Sequence, residues 1–198
     1  MIKRFFDFVT AGLGLIFLTP LFLIIAILIK SNSKGPVFYK QPRVGRGGIL
    51  FHLFKFRTMQ VGADKATAIT VGHRDPRITP VGYFLRKFKL DELPQLINVL
   101  IGEMSLVGPR PELQKFVNLY DEHQLKVISV KPGITDYASI QFRNENEMLA
   151  GKPDPVDYYI KEIMPAKLNL NLQYIANQSF LTDLKIIGHT IFLVFFRK

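Results

Sequence analysis

Two acids stand side by side at Asp91-Glu92, within the run Lys87-Phe-Lys-Leu-Asp-Glu-Leu-Pro-Gln-Leu96, and Arg86, Lys87 and Lys89 precede them. An acid pair at a helix start in basic surroundings does little for an apolar core. It suits holding a metal and a phosphorylated substrate beside a nucleophile. Neighbouring helical positions differ by about 100° in direction, so the two carboxylates divide the labour. One can hold Mg²⁺ together with phosphate oxygens, and the other can attack phosphorus. Free N–H groups at a helix start favour anions, and cationic side chains offset charge on a transferring phosphoryl group. For an isolated Asp-Glu pair the plainer reading is a helix cap followed by a first-turn acid.

The elements that must position this pair are legible. The spacing of Leu93, Leu96, Ile97, Leu100 and Ile101 predicts a helix over 91–101, with Asp91 as its N-cap and Pro94 in its first turn. A stiff turn, Gly108-Pro-Arg-Pro111, follows. Its prolines restrict the backbone of Arg110 and present the guanidinium with little entropy loss. A further helix is expected after Pro111. Upstream, residues 36–42 and 49–58 read as two strands around the glycine-rich turn Val44-Gly-Arg-Gly-Gly48. Lys55 and Arg57 would share one strand face, either as a phosphate clamp or as the solvated side of a hairpin. Residues 60–80 read as a polar loop, with a helix beginning near Val81. Lys131-Pro-Gly-Ile-Thr135 reads as a tight turn, and the segment 136–147 contains Arg143.

The stretch from Phe8 to Ile29 carries no charge. As a helix it would be roughly 33 Å long, enough for a hydrocarbon core of about 30 Å. Pro20 cannot donate to the carbonyl of Ile16, so a kink is expected, and the Thr19 hydroxyl can bond a freed carbonyl. Lys3 and Arg4 precede the run; Lys30, Lys34, Lys40 and Arg43 follow it. Positive charge prefers the cytoplasmic side. A kinked single span and a helix that dips in, bends at Thr19-Pro20 and returns both satisfy the residues. Either way the part after Ile29 is cytoplasmic. The apolar stretch from Leu181 to Phe196 can pack on the domain or lie along the bilayer surface.

The 198 residues suit one domain plus an anchor. With 26 Lys+Arg against 16 Asp+Glu, the net charge of +10 suits a polyanionic partner: nucleic acid, an anionic membrane or a nucleotide-linked substrate. The absence of cysteine excludes thiol catalysis, disulfides and cysteine–zinc sites. His52, His73, His123 and His189 have no ligand spacing. No phosphate-binding Gly-x-x-x-x-Gly-Lys-Ser/Thr loop, dinucleotide-binding glycine motif or Asp-x-Asp is present.

The ordered motifs Lys3-Arg-Phe-Phe-Asp7, Gly35-Pro-Val-Phe38, Phe54-Lys-Phe-Arg-Thr-Met59, Leu90-Asp-Glu-Leu-Pro-Gln-Leu-Ile-Asn-Val99, Met104-Ser-Leu-Val-Gly-Pro-Arg-Pro111 and Lys131-Pro-Gly-Ile-Thr135 cover nearly the whole chain. Together they resemble the monotopic phosphoglycosyl transferases, a bacterial sugar transferase family, in its minimal form. The resemblance implies an α+β, mostly helical fold: a re-entrant, helix-break-helix membrane segment over 1–30, and a cytoplasmic catalytic domain over 31–198. That domain would carry a β-hairpin and interfacial amphipathic helices. The resemblance also implies the reaction. Asp91 attacks the sugar-linked phosphate of a UDP-sugar, UMP leaves, and polyprenol phosphate takes the phosphosugar from the enzyme. Asp91 and Glu92 are the implied Mg²⁺ ligands. Lys55, Arg86, Arg110 and Arg143 match basic positions near the diphosphate. The implied location is the cytoplasmic face of the bacterial inner membrane, with phospholipid, UDP-sugar and polyprenol phosphate as partners, no nucleic acid, and a homo-oligomer allowed. Two departures stand out. Thr19 replaces the usual Ser before Pro20, which keeps a hydroxyl there. Asp136-Tyr-Ala-Ser-Ile-Gln141 replaces the usual Gly-Leu/Trp-Ala-Gln-Val, so sugar preference does not carry over. The competing reading is a membrane-anchored basic module without catalysis, binding nucleic acid or a glycan-assembly partner.

Overall fold

A computed structural model describes residues 2–63 and 75–196. Most of the predicted loop 60–80, including His73, lies outside the described residues, as do Arg197 and Lys198. The described part is a mostly helical α+β arrangement with two small two-stranded sheets.

Helix α1 (Ile2–Asn32) is 31 residues long and encloses Pro20. At 1.5 Å per residue it measures about 46 Å. The break expected at Thr19-Pro20 does not interrupt the helix, which runs through both residues. The Thr19 hydroxyl donates to the carbonyl of Leu15 at 2.8 Å, one residue before the carbonyl that Pro20 cannot reach. Phe5, Phe8, Leu13, Phe17, Leu23 and Ile27 are exposed. The opposite side is buried along the helix. Ala11 packs with Phe51, Leu53, Val99 and Met104, while Ile25 and Ile29 pack with Phe56 and Leu85.

Both ends of α1 are tied to the same body. Near the N-terminus the Lys3 ammonium donates to the carbonyl of Val107 (2.9 Å) and pairs with Asp183 (2.5 Å). The guanidinium of Arg4 donates to the carbonyls of Val99 and Leu100, and buried Asp7 accepts from the amide of Leu106. Beyond the C-terminus, Arg57 donates to the carbonyls of Ser33 (2.8 Å) and Lys34 (2.6 Å). They tie the segment just beyond the helix end to the strand side of the domain.

Strands β1 (Phe38–Val44) and β2 (Leu50–Phe56) form the expected antiparallel hairpin, with Phe38 opposite Phe56 and Val44 opposite Leu50. Helix α2 (Pro80–Lys87) is capped by the Thr79 side chain, which accepts from the amide of Gly82. A 3₁₀ turn (Leu90–Glu92) leads to α3 (Gln95–Ile101). Strand β3 (Ser105–Val107) pairs in parallel with β4 (Gly133–Thr135), so the Lys131–Thr135 motif is a strand rather than only a turn. At three residues each, the two strands are too short to show a pattern in sequence. The glycines beside them explain the motifs. A Cβ on Gly133 would lie 2.1 Å from the Gly108 nitrogen, and one on Gly108 2.5 Å from the Lys131 carbonyl oxygen, so neither position admits a side chain.

The rest is helical: α4 (Gln114–Val117), a 3₁₀ stretch (Gln124–Ser129), α5 (Tyr137–Gln141), α6 (Glu145–Leu149), α7 (Pro155–Tyr158), α8 (Met164–Ala176) and α9 (Phe180–Phe196). A π-helical turn (Tyr159–Ile163) joins α7 to α8. Helix α9 buries Asp183 and Ile186 and exposes Leu181, Ile191, Phe192 and Val194.

Candidate active site

The acid pair does not begin a helix in the expected way. Lys89 takes a left-handed conformation (φ 57°), and among the described residues it is the one non-glycine with positive φ. Such a conformation costs roughly 1–2 kcal/mol. The chain then turns through the 3₁₀ segment Leu90–Glu92, and α3 starts after Pro94 with no side-chain cap. Asp91 is therefore not an N-cap. Its side chain is buried, and its Oδ1 has no hydrogen-bond partner. Leaving a buried carboxylate oxygen unpaired costs free energy, and among the described residues Asp91 is the one acid in this position.

Glu92 is treated oppositely. Arg110 grips its carboxylate in bidentate fashion: Nη1 donates to Oε2 at 2.9 Å and Nη2 donates to Oε1. Lys55 donates to Oε1 at 3.2 Å. Arg86 adjoins the pair, and its Nε donates to the Thr58 hydroxyl at 2.8 Å. Gly82 makes this possible by bringing α2 against the Thr58 backbone; a Cβ there would lie 2.0 Å from the Thr58 oxygen.

The electrostatics follow from this geometry. Burial pushes the Asp91 carboxyl above its ordinary range and the neighbouring Glu92 charge adds to the rise; Lys55, Arg86 and Lys89 only partly oppose it. Glu92 is also penalised by burial, but Arg110 and Lys55 hold it well below the usual carboxylate range. Glu92 in turn raises Arg110, while burial lowers Lys55 and Arg86. Four cations, Lys55, Arg86, Lys89 and Arg110, act on the two acids, so the surroundings are net positive and suit a phosphate group.

The structure thus brings Lys55, Arg86, Asp91, Glu92 and Arg110 together. Arg143 is exposed at the junction of α5 and α6. Arg57 does not share the clamp with Lys55. It is buried at the end of α1, because the strand ends at Phe56 and the alternation of faces no longer holds.

Several supporting residues escaped sequence reasoning. Asn98 is fully buried: its Oδ1 accepts from the amide of Phe54 (3.0 Å), and its Nδ2 donates to the carbonyl of His52 and to Glu103, both at 2.8 Å. It joins α3 to the strand bearing Lys55. Arg43 donates to the Pro111 carbonyl and to Glu112 (both 3.1 Å), and the Tyr159 hydroxyl in the π-helical turn donates to the other Glu112 oxygen. This network braces the turn that carries Arg110. Gln95 is buried with neither amide atom paired. Its place one turn after Asp91 was the available signal.

A family described as Bacterial sugar transferase matches residues 1–197, virtually the whole chain. The chain belongs to this family. It is 38% identical over 203 residues to a UDP-glucose:undecaprenyl-phosphate glucose-1-phosphate transferase of Escherichia coli (strain K12), covering 100% of this chain and 41% of that relative. It is 36% identical over 206 residues to the exopolysaccharide production protein ExoY of Rhizobium meliloti (strain 1021), covering 96% of this chain and 84% of ExoY. An uncharacterized sugar transferase, EpsL of Bacillus subtilis (strain 168), is 38% identical over 192 residues. The chain spans about two fifths of the length of the glucose-1-phosphate transferases it matches.

Proposed function

We propose that this chain is an enzyme that transfers a phosphosugar from a UDP-sugar to a polyprenol phosphate and releases UMP. The observation that carries this reading is the contrast within the acid pair: a buried, unpartnered Asp91 oxygen beside a Glu92 carboxylate held by Arg110 and Lys55. The activity for which the glucose-1-phosphate transferase relatives are named supports it.

In the proposed reaction Asp91 Oδ1 attacks the sugar-linked phosphorus. The bond from that phosphorus to the bridging oxygen breaks, and UMP leaves with the electron pair. The aspartyl-phosphosugar is then attacked at phosphorus by an oxygen of the lipid phosphate, which restores the carboxylate. Arg110, Lys55 and Arg86 offset charge on the diphosphate, and burial keeps water from the nucleophile. Lys55 and Arg110 also hold Glu92 ionised beside Asp91.

The residues fit Mg²⁺. The Asp91 carboxylate, whose Oδ1 has no hydrogen-bond partner, would hold the ion through the oxygen that does not attack, and Glu92 Oε2, which accepts from Arg110 alone among the described contacts, would offer its second lone pair. Among the described residues no cluster of three or more His, Asp or Glu exists, so phosphate oxygens and water would complete the shell, as is usual for this ion. Bound Mg²⁺ supplies charge neutralisation on the diphosphate.

The same reading places the site at the cytoplasmic face of the bacterial inner membrane, with α1 re-entrant. A single crossing puts helix ends on opposite faces, whereas Lys3 and the Arg57-bound carbonyls of Ser33 and Lys34 belong to one body. Single cysteines placed near residues 2 and 33 of this cysteine-free chain should both react from the cytoplasm; a residue-2 site reacting only from the periplasm refutes the re-entrant arrangement.

Incubation of the membrane-embedded protein with a panel of UDP-sugars and polyprenol phosphate should release UMP, and Asp91→Asn should abolish that release. Release of UDP, or full activity in Asp91→Asn, overturns the mechanism.

A further inference from the structure

Arg110 is placed through its backbone as much as through its side chain, and the group that holds it is an acid outside the pair. Pro109 and Pro111 carry no N–H, so Arg110 has the one backbone amide in the three-residue turn. That amide donates to Asp136 Oδ2 at 3.1 Å. Asp136 is fully buried, and its other oxygen accepts from the amide of Ser139 at 2.5 Å, capping α5.

The contact completes a seam. The Gly108 amide donates to the Thr135 carbonyl (3.0 Å) and the Gly133 amide donates to the Pro109 carbonyl (2.9 Å). The backbone seam cannot continue past Pro109 as a regular ladder, because proline lacks the donor. The Asp136 carboxylate supplies the next acceptor instead. One buried side chain therefore joins the turn bearing the guanidinium that grips Glu92 to the helix α5 that leads toward Arg143. Its negative charge also reinforces the cationic state of Arg110.

We propose that Asp136 is a positioning residue for Arg110, fixing the height of its guanidinium over Glu92 and the incoming diphosphate by holding the Arg110 amide. The diphosphate part of this inference rests on the proposed transferase reading; the clamp itself does not.

The test uses the full chain in lipid nanodiscs. Asp136→Asn keeps an oxygen to cap α5 and turns an NH₂ group toward the Arg110 amide. Hydrogen–deuterium exchange of a fragment spanning 108–112 should show the Arg110 amide exchanging at least about ten-fold faster, as expected for a lost hydrogen bond. UMP release should fall roughly ten- to a hundred-fold, chiefly in kcat, as expected for a displaced positioning group. In an Arg110→Ala background the further loss should be under about two-fold. If Asp136→Asn does not fold, Asp136→Ser, which retains a capping hydroxyl, is measured instead. Unchanged exchange at Arg110, or an equal activity loss with and without Arg110, overturns the proposal. The exchange measurement needs no substrate, so absence of UMP release in the parent chain sinks the transferase reading alone and leaves the clamp to be judged by exchange.

Discussion

Asp91→Asn and Glu92→Gln, neighbouring substitutions of the same chemical kind, should move stability in opposite directions. Asp91 keeps a buried oxygen without a partner, and its pKa is raised by burial and then by Glu92. Its ionised form therefore strains the fold at neutral pH. Replacing it with a neutral amide removes a buried charge and should stabilise by on the order of 1 kcal/mol. Glu92 neutralises Arg110 and Lys55, with its own side chain 16% exposed. Removing that charge leaves two cations facing each other in partial burial and should cost about 3 kcal/mol, the low end for breaking a buried pair. At roughly 2–4 °C per kcal/mol for a chain of this size, Asp91→Asn should raise Tm by about 2–4 °C and Glu92→Gln should lower it by about 6–12 °C. Thermal unfolding of both variants in the same nanodiscs at neutral pH is the assay. The pH dependence separates them further. Glu92 has a lowered folded pKa, so its stabilisation is present above its unfolded value near 4.5 and fades as pH falls through the lower folded value. Asp91 has a raised folded pKa, so its penalty is present at neutral pH and disappears once pH drops below its ordinary value of 3.8. Equal destabilisation by both substitutions, or a neutral Glu92→Gln, refutes the electrostatic division between the two acids.

Two other outcomes follow from named contacts. Asn98→Ala strips partners from the Phe54 amide, the His52 carbonyl and Glu103, and should cost about 2–4 kcal/mol in denaturant unfolding; a loss below about 0.5 kcal/mol, the scale of an ordinary surface substitution, means Asn98 does not tie α3 to β2. Arg110→Lys keeps the charge but not the two-pronged grip on Glu92, and kcat/KM for UMP release should fall at least roughly ten-fold, about the worth of one charge-assisted hydrogen bond; wild-type activity would show that charge alone suffices.

Much of the architecture was readable because it is written in local patterns. The hairpin carries alternating side chains around a glycine turn, α1 is a long uncharged run, and α2 begins at a Thr-Pro cap. The paired strands β3 and β4 were not readable, since two three-residue strands separated by more than twenty positions leave no period to detect. The helical entry at Asp91 misled for a physical reason: the cap pattern is sound, but left-handed Lys89 leads the chain into a 3₁₀ turn, and the α-helix starts only after Pro94. Arg57 misled because strand alternation stops at Phe56, one residue before it. Asp136 was visible only as a departure from the family pattern, and its two amide partners gave it a purpose.

By itself, the sequence determined the inventory: two adjacent acids, a set of cations, an arginine between prolines, and an apolar helix with charged flanks. Composition and local spacing suffice for that, because residue type and short-range geometry are properties of the chain. Only the tertiary structure decided the pairing. Lys55 reaches Glu92 across 37 positions and Arg110 across 18, while Asp91 is left buried without a partner for one oxygen. Adjacent residues in one turn point in different directions, so which acid meets a cation and which meets none is set by the elements folded around them.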